Sequence, residues 1–153
     1  MAGSPHELRM IDVGGKPISV RTARASARLR GRPETIVRIR SGSLEKGDAI
    51  AAARLAGIMA AKRTADIVPL CHPLPLDSIE VDVRFPDADS AEVETRVRAT
   101  ARTGVEMEAL VAATAAVLAI YDMAKSIDPE MTIETVRLEE KTGGVRGDYA
   151  RGG

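Results

Sequence analysis

The segment Pro69-Leu70-Cys71-His72-Pro73-Leu74-Pro75-Leu76 sets the only cysteine of the chain beside one of its two histidines and fences both with three prolines. A zinc site needs three or four ligands at characteristic spacing, and no second cysteine is available. A Cys–His nucleophile is equally poor, because neighbours in an extended segment point to opposite sides. Two readings remain. Cys71 is a packed thiol beside a hydrogen-bonded histidine. Alternatively, the prolines hold a stiff ledge that presents His72 and its backbone to a ligand. His6, the other histidine, falls in the first nine residues, which read as a loose tail.

Two further groups carry chemistry. In Thr103-Gly104-Val105-Glu106-Met107-Glu108, Thr-x-x-Glu fits a capping box, which gives Glu106 a structural role. Glu108 lies two residues on, about 200° around a helix, and its carboxylate suits the amino groups of a guanine-like edge. The free N–H groups of the same helix start would instead suit an anion. In Tyr121-Asp122-Met123-Ala124-Lys125, Asp122 and Lys125 share a helix face. Such a pair is ordinarily a solvated surface contact. Its place at the end of an apolar, alanine-rich helix predicts burial, where carboxylate and ammonium tune one another for proton transfer. Arg21, Lys46, Lys62 and Lys141 are scattered cations, and Lys46 and Lys141 adjoin glycines that allow close approach of a ligand. The segment KTGGVRGDY is not a P-loop, since its lysine precedes the glycines.

Period-two alternation predicts strands over SIEVDVRF and AEVETRVRATAR, joined as a hairpin by PDADS. Ile18 and Val20 give strand spacing earlier in the chain, and a phase slip in MTIETVRLEE predicts a bulge near Thr135. Helices are predicted over 33–40, over GDAIAAARLAGIMAAKRT with Ile50, Leu55, Ile58 and Met59 as its stripe, and over TGVEMEALVAATAAVLAIYDMAKSID with Leu110, Thr114, Val117, Leu118 and Tyr121. Asp128-Pro129 is expected to end the last of these. This order predicts an α+β fold, a ferredoxin-like antiparallel sheet with helices packed on one face. Residues 10–149 form one domain, with tails at 1–9 and 150–153.

With 153 residues the chain buries roughly 68–70% of its unfolded surface. It has one Phe, two Tyr and no Trp, so the core must be built from small aliphatic side chains, and some apolar surface is left for other subunits. The 22 basic and 22 acidic residues cancel, which argues against bulk attraction to nucleic acid or membrane. An RNA-binding sheet would need stacked aromatics, and the two central strands hold one. No apolar run nears the ~20 residues of a membrane span, no signal peptide is evident, and the lone cysteine fits a reducing cytoplasm.

Taken together, MIDVGGKPISVRTARA, KGDAIAAARLAGIMAAKRTADIVPLCHPLPL, TGVEMEALVAATAAVLAIYDMAKSID and VRLEEKTGGVRGDY resemble the cyclic pyranopterin monophosphate synthase family of molybdenum cofactor biosynthesis, from about residue 10 to 149. The resemblance implies a ferredoxin-like fold, a homohexamer of three dimers and an active site at a subunit interface. It implies a small-molecule triphosphate substrate, 3′,8-cyclised dihydro-GTP, and two products, cyclic pyranopterin monophosphate and pyrophosphate. By resemblance Asp122 is catalytic together with Lys46 and Lys125. Leu70, Cys71, His72, Met107 and Glu108 line the substrate site, and Glu106 stands as a candidate beside them. Arg21, Lys62 and Lys141 match basic residues around the triphosphate and base. Ala124 stands where relatives often carry Cys. No cofactor is expected to bind tightly, no protein metal site is implied, and a magnesium ion on the triphosphate is compatible. The competing class is a ferredoxin-like module that binds a nucleotide as a regulator without turning it over.

Overall fold

In the computed structural model, residues 5–152 are described. Residues 1–4 of the expected N-terminal tail and Gly153 lie outside that range. The elements run β1 (Ser19–Arg30), α1 (Pro33–Ser41), α2 (Ala49–Ala61), the single turn α3 (Thr64–Ile67), β2 (Ser78–Asp87), β3 (Ser90–Ala101), α4 (Glu106–Ala124), β4 (Thr132–Thr142) and the short β5 (Tyr149–Ala150). All paired strands are antiparallel, in the order β2-β3-β1-β4-β5. Without α1, α3 and β5 this is the β-α-β-β-α-β ferredoxin-like arrangement. Both crossover connections return beneath the sheet, and α4 packs on β1, β3 and β4 while α2 packs on α4 and β2.

The hairpin strands follow their alternation. Ala91, Val93, Val97, Ala99 and Ala101 of β3 are buried, facing Ala23, Ala25, Ala27 and Leu29 of β1 in the core. The opposite face is a lattice of opposite charges. Arg28 meets Glu92 at 3.0 Å, Arg24 reaches Glu94 at 3.7 Å, and Arg84 grips Glu92 through Nε at 2.9 Å. Cross-strand pairs of this kind each stabilise a sheet by a few tenths of a kcal/mol at least. The β1–β4 ladder carries two irregularities, at Arg24/Ala25 and Arg28/Leu29, and the second falls between Thr135 and Ile133, where the phase slip placed a bulge.

Two expected apolar stripes are corrected. On α2 the buried positions are Ala49, Ala53, Gly57 and Ala61, whereas Leu55 is 61% exposed and Met59 is exposed as well. On α4 the buried face is Ala109, Ala112, Ala113, Ala116, Val117 and Ile120; Thr114 is exposed and Leu118 is 56% exposed. The cause is close packing: two helices approach most tightly where their facing side chains are smallest. Gly57 shows how tight this is. A Cβ there would lie 2.8 Å from Val81 Cγ2 and 3.1 Å from the Ala112 carbonyl oxygen. Gly57→Ala therefore destabilises the protein by up to about 2 kcal/mol, because overpacking of about 1–3 kcal/mol outweighs a helix-propensity gain of about 1 kcal/mol. The denaturant midpoint at fixed protein concentration reads this out, and an unchanged or raised midpoint would show that Val81 rotates away at no cost.

Ile18 and Val20 are likewise exposed, and the buried phase of β1 is set by Arg21 and the alanines after it. Helix α4 stops at Ala124, earlier than Asp128-Pro129, where its last carbonyl accepts the N–H groups of Ile127 and Asp128. Asp128 is instead buried beneath α1, accepting from the Arg32 N–H at 2.9 Å and the Thr35 hydroxyl at 3.0 Å. Burial pushes the Asp128 carboxyl up, but these donors outweigh it and hold the group below its ordinary range. Among the described residues α4 alone is long and apolar enough to cross a bilayer, and it serves as the core helix of this sheet. Ala150 and Arg151, expected in the C-terminal tail, are tied to β4 through β5 pairing and the Arg151 N–H to Glu139 bond of 2.8 Å.

Candidate active site

The start of β1, the loop after α3, the start of α4 and the turn after β4 surround a cavity of about 420 Å³. Each brings expected residues to it. β1 supplies Arg21, the proline segment supplies Leu70, Cys71 and His72, α4 supplies Glu106 and Met107, and β4 supplies Lys141. Two further cations line the cavity that the sequence reading passed over, Lys16 and Arg146. The signal was there: Lys16 in GGKP and Arg146 in GGVRG adjoin glycines, the same feature that singled out Lys46 and Lys141.

Arg21 belongs to the core phase of β1 yet carries a charge, so it must be satisfied where it emerges. It is 7% exposed, its Nε donates to the Ala101 carbonyl at 3.3 Å, and its Nη2 donates to the Arg102 carbonyl at 3.1 Å. Backbone carbonyls hold the guanidinium without cancelling its charge, which leaves a fixed cation at the cavity wall.

The proline ledge is partly a turn. The Cys71 N–H donates to the Val68 carbonyl at 3.1 Å, and the chain runs on from His72 without regular structure. Cys71 and His72 both line the cavity, so the two neighbours do not divide between protein and pocket. The Cys71 thiol donates weakly to Glu108 Oε2 at 3.7 Å. Burial first, then the nearby Glu108 charge, pushes this thiol up to about 11. A thiol so poorly ionised at neutral pH is no nucleophile.

Glu108 is the most unusual group here. It is 2% exposed, burial pushes its carboxyl above the ordinary range, and its Oε1 has no hydrogen-bond partner among the described residues. An unmatched buried acceptor costs stability, and a catalytic role or a bound water or ion is the usual reason one persists. Contrary to expectation Glu108 does not line the main cavity; it borders a second hollow, beside Pro73, Leu74 and Pro75, where Lys62 stands, and meets the main cavity only through Cys71. Lys62 is thus set apart from the main cavity, in the same hollow as Glu108. The capping box is corrected. Val105, not Thr103, is the N-cap of α4, and no side chain caps it. The Glu106 carboxylate folds back over Gly104, where a Cβ would overlap it.

Lys46, Asp122 and Lys125 come together elsewhere. Lys46 sits in the tight Leu44–Gly47 turn, just before Asp48 caps α2 by accepting from Ile50 N at 2.9 Å. Asp122 and Lys125 are at the far end of α4. Lys46 Nζ lies 3.1 Å from Asp122 Oδ2, and Lys125 Nζ lies 2.9 Å from Oδ1. The two ammonium groups, Lys125 first, hold the Asp122 carboxyl below its ordinary range. The dry surroundings expected for this pair are not found within the chain, where the Asp122 side chain is 52% exposed and both lysines about equally so. Fifteen residues of helix, about 22 Å at 1.5 Å each, separate Met107 at the cavity from Asp122. One chain therefore does not bring the triad to its own cavity. Among the described residues there is also no cluster of three metal-ligating side chains.

The sequence profile of the MoaC family matches residues 10–144. A cyclic pyranopterin monophosphate synthase of Thermomicrobium roseum is 53% identical over 146 residues, 95% of this chain and 88% of that protein. Proteins of the same name from Brevibacillus brevis and Streptomyces coelicolor are 48% and 50% identical, over 94% of this chain and 90% and 84% of theirs.

Proposed function

The chain belongs to the MoaC family, and we propose that it performs the reaction for which its relatives are named, converting 3′,8-cyclo-7,8-dihydroguanosine 5′-triphosphate to cyclic pyranopterin monophosphate and pyrophosphate in molybdenum cofactor biosynthesis. The observation that carries this reading is the cavity itself. A neutral protein gathers Arg21, Lys16, Lys141, Arg146 and His72 around one hollow, with the buried acid Glu108 behind Cys71 of its wall. A triphosphate brings about four negative charges and needs such a local cluster. The guanine-derived ring offers amino groups to Glu108, whose open Oε1 then gains a donor.

In the closing step a sugar-derived hydroxyl oxygen bonds to the α-phosphorus, and the bond from that phosphorus to the bridging oxygen of the leaving group breaks. The hydroxyl proton goes to a base and pyrophosphate departs among the cations. Opening and rebuilding the ring needs further proton transfers, for which Lys46, Asp122 and Lys125 supply an acid–base set. Since cavity and triad are about 22 Å apart along α4, the triad that serves a cavity comes from a neighbouring subunit. A homohexamer of three dimers in the cytoplasm suits this reading. Leu55 and Met59 on α2 and Leu118 on α4 offer apolar surface for assembly. Because the cavity wall is cationic, a magnesium ion would arrive with the phosphates rather than on protein ligands.

The direct test is pyrophosphate release on mixing the purified protein with the cyclised triphosphate. Binding without release would leave the regulatory module as the better reading. The shared site has its own test. His72→Ala removes a cavity residue, and Lys46→Ala removes a triad residue. Each variant alone is inactive or weak, yet subunits mixed by denaturation and refolding regain about a quarter of wild-type turnover, because a quarter of randomly assorted sites have both halves intact. Mixed subunits no better than the two parents averaged would place the whole site in one chain.

A further inference from the structure

The turn after β4 is built around glycines whose backbone meets Arg21. Gly143 and Gly144 both have φ of +89°. A Cβ on Gly144 would overlap Arg21 Nη1, and one on Gly143 would overlap the Val20 carbonyl oxygen. The turn is tied back by the Gly143 N–H to Asp148 Oδ1 at 3.0 Å and by the Gly147 N–H to the Gly144 carbonyl at 3.2 Å. Arg21 is therefore gripped from two sides. The Ala101 and Arg102 carbonyls hold Nε and Nη2, and the bare backbone of Gly144 lies against Nη1. Of these residues Arg21, Gly143 and Gly144 border the cavity, together with Val145 and Arg146, and Gly147 does not.

We propose that Gly144 is a positioning residue for substrate: its backbone, tied down through Gly143 and Asp148, is the stop that aims the Arg21 guanidinium at the triphosphate. The inference rests on the reading of this cavity as the triphosphate site. A side chain at 144 displaces Nη1, and a guanidinium moved by about 1 Å no longer meets an oxyanion it was built to face. Glycine at 144 is thus required twice, once for its positive φ and once for the space Arg21 occupies. Gly147 separates the two demands. Its φ is +77°, yet nothing lies within 4 Å of a Cβ built on it, so Gly147→Ala carries the backbone strain without the collision.

The test is steady-state kinetics on the cyclised triphosphate with calorimetry on inorganic tripolyphosphate. Gly144→Ala raises KM and the tripolyphosphate Kd about tenfold, with kcat changed by less than about threefold, since uniform binding and not the chemical step is lost. Gly147→Ala stays within about twofold of wild type on both. Arg21→Ala weakens binding at least as much as Gly144→Ala, and adding Gly144→Ala to Arg21→Ala changes nothing further. If the two factors multiply, Gly144 does not act through Arg21 and the proposal is overturned while the cavity reading stands. If Arg21→Ala itself leaves binding at the wild-type level, the assignment of Arg21 to the triphosphate is wrong and the role of Gly144 goes with it. Should Gly144→Ala not fold, Asp148→Ala loosens the same turn from its exposed side. It raises the tripolyphosphate Kd about threefold in the wild-type background and not in Arg21→Ala, and equal effects in both backgrounds overturn the proposal.

Discussion

Asp122→Asn lowers turnover at least about 100-fold, the scale of positioned acid–base catalysis, and leaves thermal stability within a few degrees of wild type. The amide keeps the size of the carboxylate but removes the charge that draws two ammonium groups together at 3.1 and 2.9 Å. One amide oxygen accepts from one lysine, while the –NH2 faces the other and repels it. The fold barely notices, because all three side chains are half exposed and water screens such surface pairs. The pH dependence follows in sign. The two lysines hold Asp122 below its ordinary range, so it stays ionised as pH falls through the value of a free aspartate, about 3.9. Any stability the triad adds is present above the unfolded value and lost only as pH falls through the lower folded one. An acid limb of kcat/KM above the ordinary carboxylate range would therefore belong to another group, and Glu108, whose carboxyl burial pushes above that range, is the candidate. A twofold loss in Asp122→Asn, measured by pyrophosphate release, would reduce Asp122 to a partner for two surface lysines.

The ferredoxin-like order was legible because strands with one wet face alternate strictly, as Val93, Val97 and Ala99 do against Glu92, Arg96 and Arg98. The helix faces were not. Reading a helix by its largest apolar residues finds Leu55, Met59 and Leu118, but two helices that nearly touch bury alanine and glycine and turn those large residues outward. In a chain so poor in aromatics, volume and burial part company. The phase of β1 was missed for a related reason. Its core side begins with a cation, Arg21, whose burial depends on the Ala101 and Arg102 carbonyls some 80 residues away, and no local pattern reports that. The capping box failed because Glu106 is the first residue of α4 and not its third. At the site, the gathering of His72, Arg21 and Lys141 is a tertiary fact that spacing alone does not give. The half-exposed state of Asp122 is a further departure: the apolar end of α4 predicted burial, and the chain's own fold does not provide it.

Lys46→Ala drops turnover below about one-thousandth of wild type, while the substrate Kd moves by less than about tenfold. Removing one preorganised charge beside a reacting centre costs about 10²–10³ in kcat, and losing a proton carrier with it adds to that. The fold survives because Lys46 stands in a turn outside the core, and that turn is closed by the Gly47 N–H to Leu44 carbonyl bond of 3.0 Å, which the substitution does not touch. Gly47 at φ +111° and the Asp48 cap likewise need nothing from the lysine side chain. Lys46→Arg separates charge from proton transfer. A guanidinium restores the positive charge next to Asp122 but stays protonated at any working pH and spreads its donors over a wider fork. If the lysine relays protons, Lys46→Arg remains as dead as Lys46→Ala, and Lys125→Ala fails in the same manner from the opposite oxygen of Asp122. If Lys46→Arg recovers most of the activity, Lys46 supplies charge alone and the proton path runs through Asp122 and Lys125. Turnover of Lys46→Ala within tenfold of wild type would remove the turn before α2 from the mechanism and sink the proposal that this triad serves a neighbour's cavity.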